Sequence, residues 1–515
     1  MNTIEHLFLR LQNGNDVRGA ALATKTEPLT LTCDLVTLIC AAFAETCAES
    51  FKKRADALRI GVGHDSRITA EPLKEACLRG LSHVQTYDCG MVTTPAMFQS
   101  TVLEKSHFDA AVMITASHLP FNRNGLKFFI KGEAIDHDTL HAILIKAIEL
   151  GKRYGEMDEQ GLLNATKWPV GNIITTPFDL TSLYCEHMQN IIKSAVKAAD
   201  YDHPLAGLHI IEDAGNGAAG FFATRILAPL GADISGSVFL EPDGTFPNHI
   251  PNPENDVAME AACKATLAAK ADLGVIFDCD GDRGAVVFSN GTEVNRNTLI
   301  ALLSNIVAET APHSTIVTDS VTSDELADYL YKIGLKHLRF KRGYKNVIDK
   351  GIELNKLGER CELAIETSGH GAFKENCFSD DGAYIAVKII CKLAQLRREG
   401  KRLESLIETL RQPGEAREVR FDIQLNDFVP YGLKLLEDFR TFVAKEADFE
   451  IVEPNYEGIR VKAKGEIEGW FLLRMSLHDP TMPMNVESRE PGGVDKLLVR
   501  LMPFFTRYDK LSIRK

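Results

Sequence analysis

Three aspartates at alternate positions follow an apolar run near the middle of the chain. Asp278, Asp280 and Asp282 come directly after Leu273–Phe277, a run typical of a buried strand. Carboxylates this close repel one another and raise one another's pKa, so burying all three requires a counter-charge. A hard divalent cation supplies that charge, and Mg²⁺ suits a site that keeps positions open for a phosphate oxygen. The loop therefore predicts a magnesium site, the alternative being a solvated acidic loop.

An EF-hand is a competing calcium site for the same residues. Its loop requires a glycine at the sixth position and a glutamate at the twelfth. Those positions hold Arg283 and Ser289 in this chain, which excludes an EF-hand.

A serine in a turn is the second candidate. Ala110–Ile114 is typical of a strand, and it leads to Ser117 in a turn closed by Pro120, with Lys127 shortly after. A hydroxyl is a weak nucleophile unless a base or a metal activates it, but beside a metal it can accept and donate a phosphoryl group. His118 is adjacent, but consecutive residues on a turn are expected to face apart. No G-x-S-x-G motif occurs, so a serine hydrolase is disfavoured.

Two further polar turns follow strand-like runs. Glu366 and Ser368 could bind neighbouring sugar hydroxyls, or Glu366–His370 could cap the following helix; the residues alone leave both interpretations open. Arg474 and Ser476 could hold a phosphate dianion, although a plain surface turn fits them equally well.

The elements around these turns alternate between short apolar runs and helical periods, which is typical of α/β domains. In open α/β sheets, ligands bind at the carboxyl ends of strands, where these polar turns lie. The clearest predicted helix is Asp138–Leu150, with Asp138 as N-cap and Gly151 as its end. After residue 415, strand-like runs such as Trp470–Leu477 outnumber helices, which predicts a smaller α+β domain. The predicted buried strands are Arg59–Gly63, Ala110–Ile114, Leu208–Ile211, Gly274–Phe277, Ala285–Phe288, Thr315–Thr318 and Glu362–Ile365.

Composition, charge and missing motifs argue against several classes of protein. The chain has 515 residues and a formal net charge of −13, which argues against a general nucleic-acid binder because counterion release needs clustered cations. No apolar run reaches the roughly 18 residues of a membrane span. The start of the sequence lacks the apolar core of a signal peptide, so we expect a cytoplasmic protein. No P-loop motif occurs, so phosphate chemistry need not involve ATP.

Taken in order, the serine, aspartate, sugar and phosphate loops resemble those of the α-D-phosphohexomutase family, most closely its bacterial phosphomannomutase/phosphoglucomutase branch. Each motif alone is modestly specific, whereas the ordered set is highly specific and spans nearly the whole chain. Further segments similar to family motifs are Asp16–Gly19, Val62–Arg67, Asp213–Gly217, Pro242–Pro253 and Phe378–Ala383.

The resemblance implies an architecture of three related mixed-sheet α/β domains plus a smaller C-terminal α+β domain around a central cleft. On this basis we expect four domains. They are a phosphoserine-bearing domain at 1–168, a metal-binding domain at 169–296, a sugar-recognition domain at 297–410 and a phosphate-binding domain at 411–515.

The resemblance also implies roles for individual residues. Ser117 would be carried as a phosphoserine, with Mg²⁺ held by that group and by the three aspartates. Arg18, Lys127, Arg283 and His370 would stabilise charge or move protons. The substrate would be bound by His118, Gly343, Glu366, Ser368, Arg474, Ser476 and His478.

The implied function is a phosphohexomutase that interconverts hexose 1-phosphate and hexose 6-phosphate, of mannose, glucose or both. The intermediate, a hexose 1,6-bisphosphate, would also be the activator. The partner would be a small phosphosugar, with no nucleic acid and no membrane, and the enzyme would be a monomer or homodimer.

The sequence departs from the family pattern in three loops, and it leaves other functions open. Leu119, Cys279 and the pair Leu477–His478 replace more usual residues, and the last change bears on substrate identity and phosphate affinity. A phosphoglucosamine mutase, a non-catalytic sugar-phosphate-binding regulator and a metal-dependent phosphatase are the alternatives.

Overall fold

The computed structural model describes residues 3–171, 173–425, 427–476 and 479–514. The chain forms two compact units. The first comprises Met1–Asn295 with Ser368–Leu403, and the second comprises Arg296–Thr367 with Glu404–Lys515. Within the described ranges, no helix combines the length and the apolar character needed to cross a bilayer.

The first unit begins with a mixed α/β domain. Its helices α1–α5 are Ile4–Leu9, Cys33–Phe51, Ala70–Gly80, Thr94–Gln99 and His137–Tyr154. Its strands β1–β10 are Gln12–Asn13, Asp16–Ala20, Arg59–His64, Gln85–Met91, Ala110–Ile114, Arg123–Ile130, Glu133–Ala134, Glu156–Met157, Leu163–Asn164 and Thr175–Pro177.

The main sheet of this domain has the strand order β1-β2-β6-β5-β3-β4-β10. Strands β3, β4 and β5 are parallel, whereas β6 runs antiparallel to β5 and β2. All five residues of β5 are buried, as expected for a central strand with both faces covered. The β5–β6 connection therefore emerges from the buried centre of the sheet, and it carries Ser117.

The helix predicted at Asp138–Leu150 exists but is longer, at His137–Tyr154. Asp136 rather than Asp138 is its N-cap and accepts a hydrogen bond from the Thr139 N–H at 2.7 Å. The helix continues through Gly151 because that glycine packs closely against other elements: a Cβ there would lie 3.1 Å from Phe8 and 3.2 Å from Ile4. Gly151 thus serves close packing, and the predicted end of the helix is wrong.

The second domain of this unit is a four-stranded sheet. It contains α6 (Leu180–Val196), β11 (Ile210–Asp213), α7 (Asp256–Ala269), β12 (Leu273–Phe277), β13 (Gly284–Phe288) and β14 (Glu293–Val294). The order is β11-β12-β13-β14, with β12 parallel to β11 and antiparallel to β13. The three aspartates consequently lie in the hairpin between two fully buried strands.

The second unit begins with a third α/β layer. It contains α8 (Arg296–Thr310), β15 (Thr315–Thr318), α9 (Asp324–Lys332), β16 (Lys336–Arg339), α10 (Tyr344–Lys356) and β17 (Leu363–Ile365). Strands β16 and β17 both pair in parallel with β15, so their carboxyl ends share one edge. That edge carries Asp319, Gly343 and Glu366.

After residue 367 the chain returns to the first unit. Strand β18 (Gly371–Phe373) is followed by helix α11 (Gly382–Arg398), which packs on β13 and α6. Asp381 is the N-cap of α11 and accepts from the Tyr384 N–H at 2.9 Å. Because a strand follows Glu366–His370, the helix-capping interpretation of that turn is wrong.

The C-terminal part of the second unit is an antiparallel sheet with two helices. The elements are β19 (Glu415–Ile423), α12 (Val429–Val443), β20 (Phe449–Ile451), β21 (Ile459–Ala463), β22 (Gly469–Leu473), β23 (Thr481–Ser488), α13 (Gly493–Phe505) and β24 (Leu511–Ile513). The strand order is β20-β21-β22-β23-β19-β24. Aromatic side chains, including Phe421, Phe439 and Phe471, form its core.

The predicted fold class, three α/β domains and a smaller C-terminal α+β domain, is confirmed by these elements. Two strand predictions need correction. The strand predicted at Leu208–Ile211 is Ile210–Asp213, because Glu212 and Asp213 are fully buried despite their charge. The strand predicted to reach Leu477 ends at Leu473. The four domain boundaries remain predictions.

Candidate active site

Ser117 lies in the turn between β5 and β6, and only 5% of its surface is exposed. Its φ is +51°, in the left-handed region, where a non-glycine residue is held at a cost of about 1–3 kcal/mol. The Ser117 N–H donates to Thr115 Oγ1 at 2.8 Å, and the Thr115 hydroxyl donates to Asp65 Oδ2 at 2.7 Å. A buried polar network therefore imposes the conformation of the serine.

The Arg67 guanidinium is the second support of this turn. Arg67 is 2% exposed, and its Nε donates to Asp65 Oδ2 at 3.2 Å. A planar guanidinium presents donors in a fixed fork, so it can bind several carbonyls at once in one geometry. The terminal nitrogens donate to four backbone carbonyls of the turn, at 2.8 Å to Pro120, 3.0 Å to Arg123 and 2.7 Å to Leu119, and also to Ser117.

The aspartate hairpin is completely buried. Asp278, Asp280 and Asp282 are each 0% exposed, and each offers a carboxylate oxygen within 4.8 Å of the others. Gly281 has a φ of +71°, a conformation that glycine adopts without strain and that closes the turn between the second and third aspartates. The sequence prediction that these three side chains converge agrees with this geometry.

Two cations lie against the aspartates. Lys127 Nζ is 2.5 Å from Asp282 Oδ2 and 3.7 Å from Asp280 Oδ2, and Arg283 Nε is 3.6 Å from Asp278 Oδ2. Burial and the two neighbouring carboxylates raise the pKa of Asp278 well above its usual value. Burial would also raise the pKa of Asp282, but Lys127, His370 and Arg283 outweigh it and lower the pKa.

These residues fit a divalent cation. Asp280 Oδ1 and Asp282 Oδ1 are buried and accept no hydrogen bond from the described residues. A buried charged oxygen without a partner is expensive, and a cation with oxygen ligands would satisfy both atoms. The cluster can therefore hold a metal through its three aspartates.

The serine turn and the aspartate hairpin meet. The Ser117 hydroxyl donates to Asp278 Oδ2 at 3.1 Å, although the two residues are 161 positions apart. His118 Nδ1 lies 3.3 Å from the same hydroxyl, so the expectation that His118 faces away is wrong. Burial, with Arg283, His370 and Arg18, lowers the pKa of His118 to about 2, and the ring is neutral.

His370 lies beside this cluster in the first unit. Its Nδ1 is 2.5 Å from Asp380 Oδ2, and its Nε2 accepts from Arg283 Nε at 2.9 Å. Burial opposes the charged ring, but the carboxylates of Asp380 and Asp282 outweigh burial and raise the pKa of His370. Ser368, two positions earlier, is also buried in this unit, at 6% exposure.

Arg18 joins the serine turn from strand β2. Its Nη2 is 2.8 Å from Asp16 Oδ2, and its Nη1 donates to the Thr115 carbonyl. Arg18 therefore contacts the residue that binds the Ser117 N–H. The structure thus brings together, within the first unit, all predicted catalytic and metal-binding side chains.

The other predicted residues belong to the second unit. Glu366 Oε1 accepts from the Gly343 N–H at 2.6 Å, which fixes the carboxylate at the strand edge. Asp319 accepts from the Thr367 N–H and hydroxyl at 3.1 and 2.8 Å. Burial and the nearby Glu366 raise the pKa of Asp319 to about 7.

The predicted phosphate loop contains a half-buried cation, Arg474. Burial lowers the pKa of Arg474, and the neighbouring Arg342 lowers it further. Glu457 lies between them: it is 3.9 Å from Arg474 Nη1 and accepts from the Arg342 N–H at 3.1 Å. The Ser476 Oγ accepts from the Asp479 N–H at 3.2 Å. Arg342 in turn has its Nε 3.9 Å from Asp319 Oδ2, so a carboxylate lies near each of the two guanidinium groups. His478 lies outside the described residues.

Sequence reasoning missed several residues that position this site. Arg67 and Asp380 lie in segments similar to family motifs, Val62–Arg67 and Phe378–Ala383, so a signal existed without a role attached to it. Arg342 and Glu457 carry no recognisable motif. Only the fold shows that they meet near Arg474.

Known proteins resemble this chain in each of its three α/β domains. The chain matches the phosphoglucomutase/phosphomannomutase alpha/beta/alpha domains I, II and III over residues 10–151, 182–291 and 295–413. A phosphomannomutase/phosphoglucomutase of Pseudomonas syringae pv. tomato is 29% identical over 445 residues, covering 85% of each chain. A phosphoglucomutase of Neisseria gonorrhoeae is 27% identical over 94% of each chain. A solved phosphoglucomutase/phosphomannomutase family protein from Burkholderia thailandensis superposes with a TM-score of 0.76 at 26% identity, covering 98% of this chain and 97% of that one.

Proposed function

The chain belongs to the phosphoglucomutase/phosphomannomutase family of α-D-phosphohexomutases, and on that premise we propose how it acts. It interconverts hexose 1-phosphate and hexose 6-phosphate, with mannose, glucose or both as the hexose. Ser117 carries the phosphoryl group between substrates, and a hexose 1,6-bisphosphate is the intermediate and the activator.

One observation carries this proposal. A buried serine hydroxyl lies 3.1 Å from a carboxylate of a three-aspartate cluster that has two adjacent cations and two buried oxygens that accept no hydrogen bond from the described residues. A structural serine needs none of these neighbours. A phosphoserine needs them all, because phosphoryl transfer depends on positioning and on neutralising charge at the transferring group.

The chemistry requires two transfers. A free hydroxyl of the hexose monophosphate attacks the phosphorus of phosphoserine, the bond to Ser117 Oγ breaks, and the hydroxyl proton passes to a basic group of the site. In the second transfer Ser117 Oγ attacks the phosphorus of the other phosphate, the bond from that phosphorus to the sugar oxygen breaks, and the sugar oxygen takes back the proton from the basic group, which leaves the isomeric monophosphate. Atoms balance over the cycle, and the phosphoserine is regenerated.

This chain's side chains supply charge and proton transfer. Lys127 and Arg283 neutralise the transferring group, and both already lie against buried carboxylates. His370, held by Asp380, carries the proton. When bound to Asp278, Asp280 and Asp282, Mg²⁺ would polarise the phosphoryl oxygens.

Substrate binding is assigned to two polar turns. Glu366 and, from the first unit, Ser368 hold the sugar hydroxyls, while Arg474 and Ser476 bind the phosphate that is not reacting. The largely buried guanidinium of Arg474 supports this role, because burial lowers its pKa and a phosphate dianion would stabilise the charged form.

A coupled assay with mannose 1-phosphate, glucose 1-phosphate and glucosamine 1-phosphate, each with a trace of the matching 1,6-bisphosphate, tests the proposal. We expect isomerisation of the mannose or glucose substrate, and its loss in Ser117→Ala. Ser304→Ala is a matched control, because its hydroxyl is buried without a hydrogen-bond partner among the described residues, and it should retain activity.

The other outcomes identify the alternatives. Turnover of glucosamine 1-phosphate alone would indicate a phosphoglucosamine mutase. Release of free phosphate without isomerisation would indicate a phosphatase. Binding of the sugar phosphates without any reaction would indicate a regulator.

A further inference from the structure

One metal-cluster carboxylate is held by a residue from the first domain. Asp280 Oδ2 accepts from the Thr94 hydroxyl at 2.5 Å, and both residues are buried, at 0% and 4% exposure. This is the one hydrogen bond that the Asp280 side chain accepts from the described residues, and Lys127 Nζ is more distant, at 3.7 Å. The other oxygen of Asp280, Oδ1, accepts no hydrogen bond from the described residues.

The backbone at this contact is also fixed. The Thr94 N–H donates to the Asp280 carbonyl at 2.8 Å, so Thr94 binds both the main chain and the side chain of Asp280. The two segments of the chain approach closely at this point: a Cβ on Gly281 would lie 2.9 Å from Thr93 Cγ2. The first residue of α4 therefore packs directly on the hairpin.

The other two aspartates are oriented by different donors. Asp278 accepts from the Ser117 hydroxyl and the Arg283 N–H, and Asp282 is paired with Lys127. Each aspartate thus has at least one oxygen held by a donor, and Asp278 has both. For Asp280 that donor is a neutral hydroxyl, which restrains the carboxylate without cancelling its charge.

We propose that Thr94 is a positioning residue for the metal site: its hydroxyl holds Asp280 Oδ2 so that Oδ1 is presented to the cation. This inference rests on the proposed function, because it assumes that the aspartates bind Mg²⁺. Mg²⁺ demands near-ideal octahedral geometry, so a freely rotating carboxylate is a poor ligand. Groups that orient metal ligands typically contribute about 10–100-fold in metal affinity.

The test is Mg²⁺ titration by calorimetry of the intact protein, with equal phosphate occupancy confirmed by intact mass. Thr94→Val removes the hydroxyl, keeps the shape and keeps the backbone bond to Asp280. We expect its Mg²⁺ dissociation constant to rise about 10–100-fold. Thr94→Ser, which restores a hydroxyl, should lie within a few-fold of wild type.

Thr93→Val is the matched control. Thr93 is the neighbouring residue and is equally buried, at 2% exposure, but its hydroxyl has no partner among the described residues. Its Mg²⁺ affinity should equal that of wild type. A second readout is activity against Mg²⁺ concentration: excess Mg²⁺ should restore Thr94→Val activity, which a packing defect would not allow.

The outcomes separate the two proposals. Wild-type affinity in Thr94→Val, or equal losses in Thr93→Val, would overturn the role of Thr94 while leaving the mutase intact. Wild-type protein that binds no Mg²⁺ would overturn both the metal assignment and this inference. If Thr94→Val gives no melting transition, Thr94→Ala replaces it, with the same expectation.

Discussion

Replacing Arg67 by lysine tests whether the guanidinium fork holds the serine turn. The side chain is buried and its terminal nitrogens bind four backbone carbonyls of the turn. Arg67→Lys keeps the positive charge beside Asp65, so any effect reports geometry rather than loss of charge. Lysine has three donors on a single nitrogen, so it cannot reproduce the planar fork.

The magnitude follows from the contacts. A hydrogen bond involving a charged group contributes roughly 1.5–3 kcal/mol, so losing two of the four carbonyl contacts costs about 3–6 kcal/mol. Holding a non-glycine residue in the left-handed region costs about 1–3 kcal/mol. The two contacts that remain still contribute about 3–6 kcal/mol, which exceeds that strain, so the turn should keep its conformation but hold Ser117 less firmly. Displacement of Ser117 by about 1 Å can reduce the rate about 100-fold.

The assay is kcat/KM for the preferred hexose phosphate, with the melting temperature measured in parallel. Arg59→Lys is the matched control: Arg59 is the first residue of β3, the strand that precedes Arg67, and it donates to the Ser106 carbonyl at 3.1 Å, away from the serine turn. We expect kcat/KM to fall about 100-fold in Arg67→Lys and to be unchanged in Arg59→Lys. A folded Arg67→Lys protein with wild-type kcat/KM would refute the reasoning.

Two further predictions concern buried charges. Lys127→Met should abolish isomerisation and lower the free energy of unfolding by about 3–5 kcal/mol in urea without Mg²⁺, because it removes the nearest cation from the buried Asp282 carboxylate. Equal free energies of unfolding for the wild-type and Lys127→Met proteins would contradict this. Burial raises the pKa of Asp381 to about 6, despite hydrogen bonds from Tyr184 and Asn376. The pKa of an unfolded aspartate is about 3.9, so between about pH 3.9 and pH 6 Asp381 binds a proton more tightly in the folded state than in the unfolded state. The contribution of Asp381 to the free energy of unfolding therefore falls as the pH rises. The melting temperature of wild type minus that of Asp381→Asn should therefore decrease between pH 4 and pH 7, and a constant difference would count against the assignment.

Much of the fold could be predicted from the sequence because its signals are local. The strands Ala110–Ile114 and Thr315–Thr318 were placed correctly from apolar runs alone. Errors arose where tertiary packing replaced the local signal. Gly151 lies inside a helix where neighbouring side chains pack tightly against it, so it serves packing rather than helix termination, and β11 includes buried Glu212, whose Oε2 accepts from the Ala223 N–H.

The site was predictable only in part for the same reason. Spacing indicates that the three aspartates form one cluster, since they share a hairpin. It does not reveal that Lys127 contacts Asp282 across 155 positions, or that Asp380 binds His370. Contacts of this kind depend on which loops the sheets bring together. Thr94 is the clearest example, because nothing in its local sequence indicates an aspartate partner.

Transfer of a phosphoryl group to Ser117 tests the central claim most directly. Dephosphorylated protein is incubated with the hexose 1,6-bisphosphate, and the modified residue is located by peptide mass spectrometry. We expect one phosphoryl group, on Ser117, that is lost again when excess hexose monophosphate is added. Isomerisation by a protein that is never phosphorylated at Ser117, or by Ser117→Ala, would contradict it.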